Sequence, residues 1–544
     1  MKKRVLCLLM ALVMVTGVLS ACGKKEVVNN NASEQQEDNS DNSGEAGNED
    51  EIVIPAQFIH LYKVNTNEYD TQNYDGGYIT VARMHYEKVF LTGEDAEKYP
   101  ELDRALEEYG DKVEGLAKDE FELCKEAGAV DIDSLPSDGY FSERHLNVRR
   151  ADEYVVSLSS SYSYYAGGAH PYGGDWPVSF DAKTGREIRL TDVVKDIDAM
   201  YDYVTEAIKE KYADYLDEFF NINDADPFAG FKSGEYTQGF AVDYDGLSII
   251  FNPYDIASYA SGQQVIKIPY KGHEDLLEGK YFENVPDSYI VEVGDNLEYD
   301  IDIDNDGAFD AVILSPYYDE YECLGSINVT INDKPYEYKN GTGNEYIDAF
   351  SGRNFLYKTK SGKLFYYFLA CGCNDYRTFN SFEIKKDGLG DWNYYTAGIA
   401  YPLEANDRIA DYSWAEGCLT DPVNCLLQNR SDMFGTVSVV RSYDFDDNGQ
   451  IVPTEELYAF YDMTPHKVLT SVKVDIVDEN GNKTGERDLV VGEEVVPYKT
   501  NNVDTVYIRD KDDNILMFHE TNEWPRQVDG IDIETIFDNI LYAG

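Results

Sequence analysis

The sequence predicts an α+β N-terminal half, in which helices pack on an antiparallel sheet, and an all-β C-terminal half. We expect the C-terminal half to be a sandwich or a propeller-like unit with calcium-type loops. Before residue 282, runs of β-branched and aromatic residues alternate with two stretches of helical periodicity. After residue 283, short strand-like runs are separated by turn residues. Hydrophobic residues make up 43% of the chain and aromatic residues 13%, which is enough to form packed cores.

The first residues predict export and lipid attachment. Basic residues at positions 2–4 precede an apolar run over Val5–Val18, and Leu-Ser-Ala then leads into Cys22. This arrangement resembles the lipobox of bacterial lipoproteins, which implies a signal peptide over residues 1–21 and acyl chains such as palmitate on Cys22. An ordinary cleaved signal with an incidental cysteine is the alternative. Two or more acyl chains form a stable membrane anchor.

Residues 22–51 predict a flexible tether. The segment is rich in Asn, Ser, Glu, Asp and Gly and has few large apolar residues, so it buries too little surface to fold. A tether behind a lipid anchor would display the body on the extracytoplasmic face of the bacterial cell membrane. The formal net charge of −57 disfavours nucleic acid as a partner, because phosphates would be repelled. The negative charge is compatible with a basic partner, with bound divalent cations, or with a role in solubility alone.

Residues 52–150 are predicted to form a strand-helix domain. Strand-like sequence comes first, as in GGYITVARMHYEKVFL. A helix is then predicted from near Pro100 to about Ala127, since apolar residues recur at helical steps. These residues are Leu102, Leu106, Tyr109, Val113 and Leu116.

Residues 151–282 predict strands around a glycine-rich turn, then a hairpin, a second helix whose apolar face runs from Ile197 to Phe219, and further strands. The turn raises the question of what a histidine does among glycines: it could be catalytic, bind a ligand or end a strand. Three motifs follow in order: the turn Gly167-Gly168-Ala169-His170, the hairpin residues Thr184 and Gly185, and the segment Asn252-Pro253-Tyr254.

Together the three motifs resemble the extracellular domain shared by RsiV-type anti-sigma factors and PdaC-type peptidoglycan deacetylases. Residues 52–150 are similar to the domain that usually precedes it. The resemblance implies an α+β fold, a signature turn that contains His170, and recognition of lysozyme or of peptidoglycan. It does not imply catalysis by this domain, and we expect His170→Ala to lower stability or ligand affinity modestly and to cause no enzymatic defect. A lipid anchor cannot by itself carry a signal to a cytoplasmic sigma factor, so only the recognition role carries over.

Residues 283–544 are predicted to be β-rich, with helical character only at Glu455–Tyr461 and Ile533–Tyr542. Export permits disulfides, and a pairing of Cys371 or Cys373 with Cys418 or Cys425 fits, with free thiols as the alternative. Cys323 also lies in this half.

The segment YDIDIDNDGAFDAVIL contains the first calcium candidate. Calcium takes six to eight hard oxygen ligands around a tight loop, and alternate side chains can converge while glycine allows a sharp bend. Ile313 stands at the twelfth position, so a strand-flanked loop is favoured over an EF-hand. A solvated acidic hairpin is the alternative. The predicted ligands are Asp302, Asp304, Asp306, the carbonyl of Ala308, and Asp310.

The segment YDFDDNGQIVPTEELYAF contains the second calcium candidate, which follows the spacing D-x-[DN]-x-[DN]-G-x5-E. DENGNKTG and DKDDN lack the alternating acids and predict hairpin turns. The predicted ligands are Asp444, Asp446, Asn448, the carbonyl of Gln450, and Glu455.

Enzyme motifs are absent from the sequence: it has no His-Glu-x-x-His, no Gly-x-Ser-x-Gly and no phosphate-binding loop. We therefore predict a non-catalytic, lipid-anchored protein that binds a cell-envelope ligand, either a basic protein such as lysozyme or peptidoglycan. The alternative is a cell-wall hydrolase or deacetylase with an unrecognised site in the C-terminal half.

Overall fold

A computed structural model of the chain describes residues 56–74, 77–130, 135–136, 139–341, 346–373, 376–400, 412–461 and 464–542. The predicted signal peptide, Cys22 and the predicted tether lie outside these residues. Among the described residues, no helix is both long enough and apolar enough to cross a membrane.

A long helix packed on a sheet forms the first part of the described chain. The strands are β1 (Leu61–Tyr74), β2 (Gly77–Leu91), β3 (Tyr140–Ala151), β4 (Val155–Tyr165), β5 (Tyr172–Asp175) and β6 (Val178–Asp181). The helices between β2 and β3 are α1 (Gly93–Lys98) and α2 (Pro100–Val130). The predicted helix is confirmed, because Leu102, Leu106 and Val113 form a buried stripe along α2 that faces the sheet.

The sheet is mixed, which corrects the prediction of a purely antiparallel one. β2 and β3 run parallel, with His85 opposite Glu143, whereas β1 pairs with β2 and β3 pairs with β4 in antiparallel fashion. Parallel neighbours need a crossover connection, and α2 supplies it between β2 and β3. This register places His145 beside Glu87.

The second part of the described chain packs further helices on a three-stranded antiparallel sheet. The helices are α3 (Leu190–Val193), α4 (Ile197–Lys211) and α5 (Ala229–Ser233), with 3₁₀ turns at Ala213–Glu218, Tyr259–Ser261 and Gly279–Tyr281. The strands, in the order β7-β8-β9, are β7 (Gly239–Val242), β8 (Gly246–Phe251) and β9 (Gln264–Pro269). The Asp196 carboxylate accepts the Ala199 N–H (3.0 Å) and caps α4, but α4 ends at Lys211, so the predicted continuation to Phe219 is wrong.

The C-terminal part is all-β, and its described residues form no closed barrel. Its first strands are β10 (Tyr289–Val293), β11 (Glu298–Ile301), β12 (Asp310–Tyr318), β13 (Leu324–Ile331), β14 (Lys334–Lys339), β15 (Ser351–Lys358), β16 (Leu364–Cys371), β17 (Arg377–Lys385), β18 (Gly388–Leu389), β19 (Asn393–Thr396), β20 (Gly398–Ile399), β21 (Trp414–Gly417) and β22 (Cys425–Ser431). The later strands are β23 (Val437–Phe445), β24 (Ile451–Pro453), β25 (Tyr458–Phe460), β26 (His466–Lys467), β27 (Lys473–Val477), β28 (Lys483–Asp488), β29 (Glu494–Thr500), β30 (Thr505–Asp510), β31 (Ile515–His519), β32 (Gln527–Val528) and β33 (Ile531–Asp532). Helix α6 covers only Ile533–Ile536, and the helical prediction for Glu455–Tyr461 is wrong because β25 lies there.

A six-stranded sheet, with the path β10-β15-β16-β17-β18 and with β19 beside β17, stands between two others. Leu364, Tyr366 and Phe368 share a core with the four-stranded sheet β11-β12-β13-β14. Phe365 and Tyr367 share another core with β22 and β23 of an eleven-stranded sheet. Both faces of β16 are therefore buried, which explains its continuous apolar sequence LFYYFLA.

Strand β21 belongs to the first sheet although it comes from the C-terminal part of the chain. It pairs with the outer edge of β1, with Tyr62 opposite Gly417 and Asn65 opposite Trp414. The first sheet, ordered β21-β1-β2-β3-β4-β5 with β6 beside β4, is thus completed by a strand that comes far later in the sequence.

Buried charges connect the first sheet to the three-stranded sheet. The Arg149 guanidinium on β3 makes two 2.8 Å hydrogen bonds to the Asp243 carboxylate. Ser248 donates to the same carboxylate (2.6 Å), and the Lys267 ammonium lies 3.4 Å from it. The Asp243 and Lys267 side chains are fully buried, and that of Arg149 nearly so.

His60 ties helix α1 to the segment that follows β21. Its Nδ1 lies 3.0 Å from the Asp95 carboxylate and its Nε2 lies 3.5 Å from the Asp421 carboxylate. Contacts with Asp421 and Asp95 outweigh desolvation and raise the pKa of His60 from 6.5 to about 9.

We expect His60→Gln to destabilise the protein at pH 6 and to have no effect above about pH 9.5. The folded pKa is raised, so the stabilisation is fully present below pH 6.5 and is lost as the pH rises through 9. The His60 side chain is 51% exposed, so solvent screening limits the effect to about 1 kcal/mol or less. Thermal melts of both proteins between pH 6 and pH 10 measure it. A stability difference that does not change across this range would contradict the assignment, and Asp421→Asn should narrow the pH window.

Candidate functional site

A cleft of about 930 Å³ lies between the first sheet and the six-stranded sheet. One wall carries side chains of β1–β4, and the other carries residues of β10, β15 and β16. Trp414 and Glu416 of β21 line one end, and segments 171–174 and 253–263 contribute to the rim. The cleft is therefore assembled from parts of the sequence that lie far apart.

The predicted turn Gly167–His170, which we call the signature turn, lies beside this rim and is exposed. Gly167 and Gly168 adopt positive φ angles of 99° and 134°, which favour glycine. The His170 ring stacks on Tyr259, with 3.8 Å between centroids. Its Nδ1–H donates to the Pro171 carbonyl (2.7 Å), so Nε2 accepts from the Tyr254 hydroxyl (3.2 Å). His170 is thus part of an aromatic cluster, and no carboxylate in the described hydrogen bonds activates it as a base.

Asn252 fastens strand β5, which follows the signature turn, to the end of β8. Its side-chain oxygen accepts the Asp175 N–H (2.7 Å), and its side-chain NH₂ donates to the Asp175 carbonyl (2.9 Å). The Asn252 backbone N–H donates in turn to the Asp255 carboxylate (2.7 Å). Pro253 lines the cleft and Tyr254, at φ 76°, points its hydroxyl at His170.

The hairpin residues Thr184 and Gly185 hold this part against helix α2. The Thr184 hydroxyl donates to the Asp181 carboxylate (2.9 Å) and the Gly185 N–H donates to the Asp181 carbonyl (2.9 Å). Gly185 has φ 64°, and a Cβ built there would lie 2.1 Å from the Glu101 carbonyl oxygen. Only glycine permits this approach, so these two motif residues are structural.

Two histidines and a glutamate form a group on the cleft wall that the sequence analysis missed. His85 Nε2 and His145 Nδ1 each lie 3.6 Å from Glu87 Oε1, and the two rings lie 4.6 Å apart. His85 and Glu87 are two residues apart on β2 and so share a face, a signal that was readable in the sequence. His145 lies beside Glu87 because β2 and β3 pair in parallel, and that pairing was not predicted.

Ionic contacts lie behind this group. Lys63 donates to Glu87 (3.3 Å) and to Glu292 (3.0 Å), and Arg353 binds Glu292 (2.7 Å) and Glu416 (3.0 Å). Burial would raise the pKa of Glu87, but Lys63 and the two imidazoles outweigh it and hold that pKa well below its usual value. The Glu87 carboxylate is therefore ionised, and it raises the pKa of His145 against the effect of burial.

The first calcium candidate is a tight turn between β11 and β12. The Asp302 carboxylate accepts the Asn305 and Gly307 N–H groups (2.6 and 3.0 Å). The Asp306 carboxylate accepts the Ala308 N–H (2.8 Å). Carboxylate oxygens of Asp302, Asp304 and Asp306 lie within 4.8 Å of one another, so the predicted convergence is present in part.

A lysine ammonium lies among these carboxylates. Lys386 Nζ is 2.9 Å from Asp304, 2.6 Å from Asp306 and 3.7 Å from Asp310. Asp310 itself is buried and accepts the Asn332 side-chain NH₂ (2.7 Å). Calcium would have to displace Lys386, and its binding here stays a prediction.

The second calcium candidate has a different geometry. The Asp446 carboxylate accepts the N–H groups of Asn448 and Gln450 (both 2.8 Å). The Asp478 carboxylate accepts the N–H groups of Asn480 and Asn482 (3.0 and 2.8 Å). The Asp510 carboxylate accepts those of Asp512 and Asn514 (2.9 and 3.0 Å). The spacing that suggested calcium is thus shared with two hairpin turns, where the acid caps its own backbone.

The other predicted ligands of this candidate are not brought together with Asp446. Asp444 accepts the Asn424 N–H (2.9 Å), and the Glu455 side chain is exposed. Within the described residues, the groups of three or more His, Cys, Asp or Glu ligands that could share an ion are the His85 group and the Asp302 group. Calcium at Asp446 remains a prediction.

Three described cysteines of the C-terminal part bear on the predicted disulfide. Cys373, Cys418 and Cys425 carry free thiols, so the free-thiol alternative applies at these positions. Burial raises the pKa of the Cys418 thiol to about 12 and also raises that of Cys425, which leaves both unreactive at neutral pH.

The segment from α3 to β9 corresponds to a known sequence family. Residues 190–271 match the family described as "Protein of unknown function (DUF3298)". They form a DUF3298 domain. This DUF3298 domain contains Asn252, Tyr254 and Tyr259, and so it supplies one side of the rim beside the signature turn.

Solved structures of the same family resemble part of the chain. A member of the DUF3298 family from Bacteroides fragilis is 19% identical, over 41% of this chain and 95% of that one, with a TM-score of 0.32. A DUF3298 family protein from Pseudomonas aeruginosa is 17% identical, over 41% of this chain and 96% of that one, with a TM-score of 0.28. None of the curated proteins matches the chain.

Proposed function

We propose that this chain is a lipid-anchored, extracytoplasmic binding protein that holds a glycan segment of peptidoglycan in the cleft and does not transform it. The observation that carries the proposal is the position of the aromatic cluster of His170, Tyr254 and Tyr259 at the rim of the cleft. The His170 ring stacks on Tyr259 and on Tyr254 there, and the two tyrosine rings are tilted against each other. The finer relationship to RsiV-type and PdaC-type domains is part of the proposal and rests on the three sequence motifs.

The size and chemistry of the cleft fit a short oligosaccharide. Its volume falls at the upper end of the range for small-molecule sites. Tyrosine presents a flat apolar face with a polar tip, which suits the apolar face and hydroxyl edge of a pyranose ring. Asparagine and serine side chains, among them Asn65, Asn147 and Ser161, line the interior and offer hydrogen bonds to hydroxyl and acetamido groups.

The anchor and the location rest on the sequence. Cys22 follows a lipobox-like segment, and residues 22–51 would hold the folded body away from the bilayer. A protein displayed in this way meets peptidoglycan directly.

A basic protein such as lysozyme is the second candidate ligand, because a net charge of −57 would accelerate association with it. The hydrolase or deacetylase alternative would use the cleft rather than the C-terminal half alone, since the His85 group lies on β2 and β3. The predicted calcium would bind at the Asp302 turn, whose predicted ligands do not line the cleft.

We expect Tyr259→Ala to weaken binding of a muramic acid–glucosamine tetrasaccharide about tenfold, which corresponds to about 1.4 kcal/mol of lost stacking. Isothermal titration of the full chain with the purified tetrasaccharide measures this. Tyr321→Ala is the matched control, because Tyr321 is 74% exposed in the turn between β12 and β13 and should bind as the wild type does.

Equal affinity of the Tyr259→Ala and wild-type proteins would show that the rim is not part of the glycan site. If the wild type fails to bind the tetrasaccharide but retains lysozyme at low salt, the ligand is the basic protein rather than the glycan. Release of acetate or reducing sugar during the titration would show that the protein is a deacetylase or hydrolase.

A further inference from the structure

Three lone-pair donors on the cleft wall converge on one point. His85 Nε2 and His145 Nδ1 each lie 3.6 Å from Glu87 Oε1, and one ligand atom from each residue lies within 4.8 Å of the others. A direct N–H···O hydrogen bond would measure about 2.7–3.2 Å. Ligands about 2.0–2.1 Å from a tetrahedral ion lie about 3.3 Å apart. The observed spacing is too long for hydrogen bonds and close to that of neighbouring metal ligands.

The surroundings of His85 fix its tautomer. Its Nδ1 lies 2.9 Å from the Asn67 side-chain oxygen, while the Asn67 NH₂ donates to Asn65 Oδ1 (3.3 Å). In the neutral imidazole Nδ1 therefore carries the proton, and the Nε2 lone pair is directed at Glu87 and His145. Nε2 is buried and has no hydrogen-bond partner. Histidines that bind metals usually donate one ring N–H to an oxygen and present the lone pair of the other ring nitrogen to the ion.

Glu87 is oriented in the same way. Its Oε2 accepts the Leu146 N–H (2.7 Å) and lies 3.3 Å from Lys63 Nζ. Oε1 is the oxygen left to face the two imidazoles. The carboxylate is therefore pre-oriented with one oxygen held by the protein and the other available.

We propose that His85, Glu87 and His145 bind a divalent transition-metal ion of the zinc class on the cleft wall. Imidazole is a borderline ligand, and two imidazoles with one carboxylate form a ligand set that Zn²⁺ takes in proteins, whereas the all-oxygen Asp302 group suits hard ions. Three protein ligands leave one tetrahedral position vacant, and His145, whose side chain is 44% exposed, lies on the open side toward the cleft. A ligand oxygen or water could occupy that position. The site stands on its own geometry and does not require glycan binding.

Zinc titration of the full chain, purified without a histidine tag and treated with a chelator, tests this site. Competition with a chromophoric chelator should give one Zn²⁺ per chain. His85→Ala and His145→Ala should each weaken binding at least about 100-fold, and Asn67→Ala about tenfold through loss of orientation. His519→Ala is the matched control, since it removes an exposed histidine from β31 and should leave the affinity unchanged.

Cobalt substitution protects the test against misfolded variants. Wild-type protein loaded with Co²⁺ should show the visible absorption of a four- or five-coordinate site with nitrogen and oxygen ligands, and excess Ca²⁺ should not displace it. Absence of stoichiometric zinc binding, or variants at positions 85 and 145 that bind as the wild type does, would overturn the proposal. A protein that binds the tetrasaccharide but no zinc would contradict the metal site and leave the proposed glycan binding intact. Failure of the metal site and failure of the proposed function are therefore distinguishable.

Discussion

Replacement of Asp243 with alanine is expected to destabilise the folded chain by about 3–5 kcal/mol. The substitution leaves the Arg149 guanidinium and the Lys267 ammonium buried, where Lys267 retains its pair with Asp245 and Arg149 retains a 3.3 Å contact with the Ser248 hydroxyl. Coulombic attraction to Arg149 and Lys267 overcomes burial and holds the pKa of Asp243 at about 2, so the wild-type carboxylate is ionised at neutral pH. Removal of one partner from a buried charge cluster costs far more than the cluster itself contributes.

Thermal melts followed by tyrosine and tryptophan fluorescence measure this effect, and the midpoint should fall by about 3–5 °C. Asp513→Asn is the matched control. Asp513 is 81% exposed, pairs only across the surface with Arg509, and adopts φ 66°, which asparagine tolerates. Its change should stay within about 0.5 kcal/mol. Equal melting of Asp243→Ala and Asp513→Asn would show that the buried cluster does not hold the two sheets together.

Replacement of Asn252 with leucine is expected to cost about 2–4 kcal/mol and to abolish glycan binding. The substitution removes both hydrogen bonds to the Asp175 backbone, and each buried group left without a partner costs about 1–3 kcal/mol. Since β5 directly follows the signature turn, its release would also displace His170 from Tyr259.

Denaturant unfolding and tetrasaccharide titration of the same Asn252→Leu sample separate the two effects. Asn221→Gly is the control, because Asn221 is exposed and its φ of 57° suits glycine. Full glycan affinity in a destabilised Asn252→Leu protein would show that the signature turn does not contribute to the ligand site.

Local patterns were read well from the sequence. Helix α2 follows from its apolar spacing, and the 184–185 hairpin follows from turn chemistry, because both depend on neighbours in the chain. The addition of β21 to β1 could not be read, since β21 pairs with a strand about 350 residues earlier. The parallel pairing of β2 and β3 was missed for a similar reason: nothing local in either strand marks the direction of its neighbour.

The candidate site was only partly readable. The sequence motifs led to Asn252, Tyr254 and His170, and the structure places them around one rim. The acid-rich spacing at Asp446 is ambiguous, because an aspartate that caps its own turn and an aspartate that binds calcium occupy the same position relative to glycine. The His85 group required tertiary pairing, and only the alternation of His85 and Glu87 was visible beforehand.

A crystal structure of the chain soaked with the tetrasaccharide tests the central claim most directly. If the protein is a glycan receptor, sugar density should fill the space between the two sheets, with one pyranose ring against Tyr259 and the chain of the ligand running toward β21. Density at any other surface, or an unoccupied cleft in crystals of protein that binds the sugar in solution, would contradict the account.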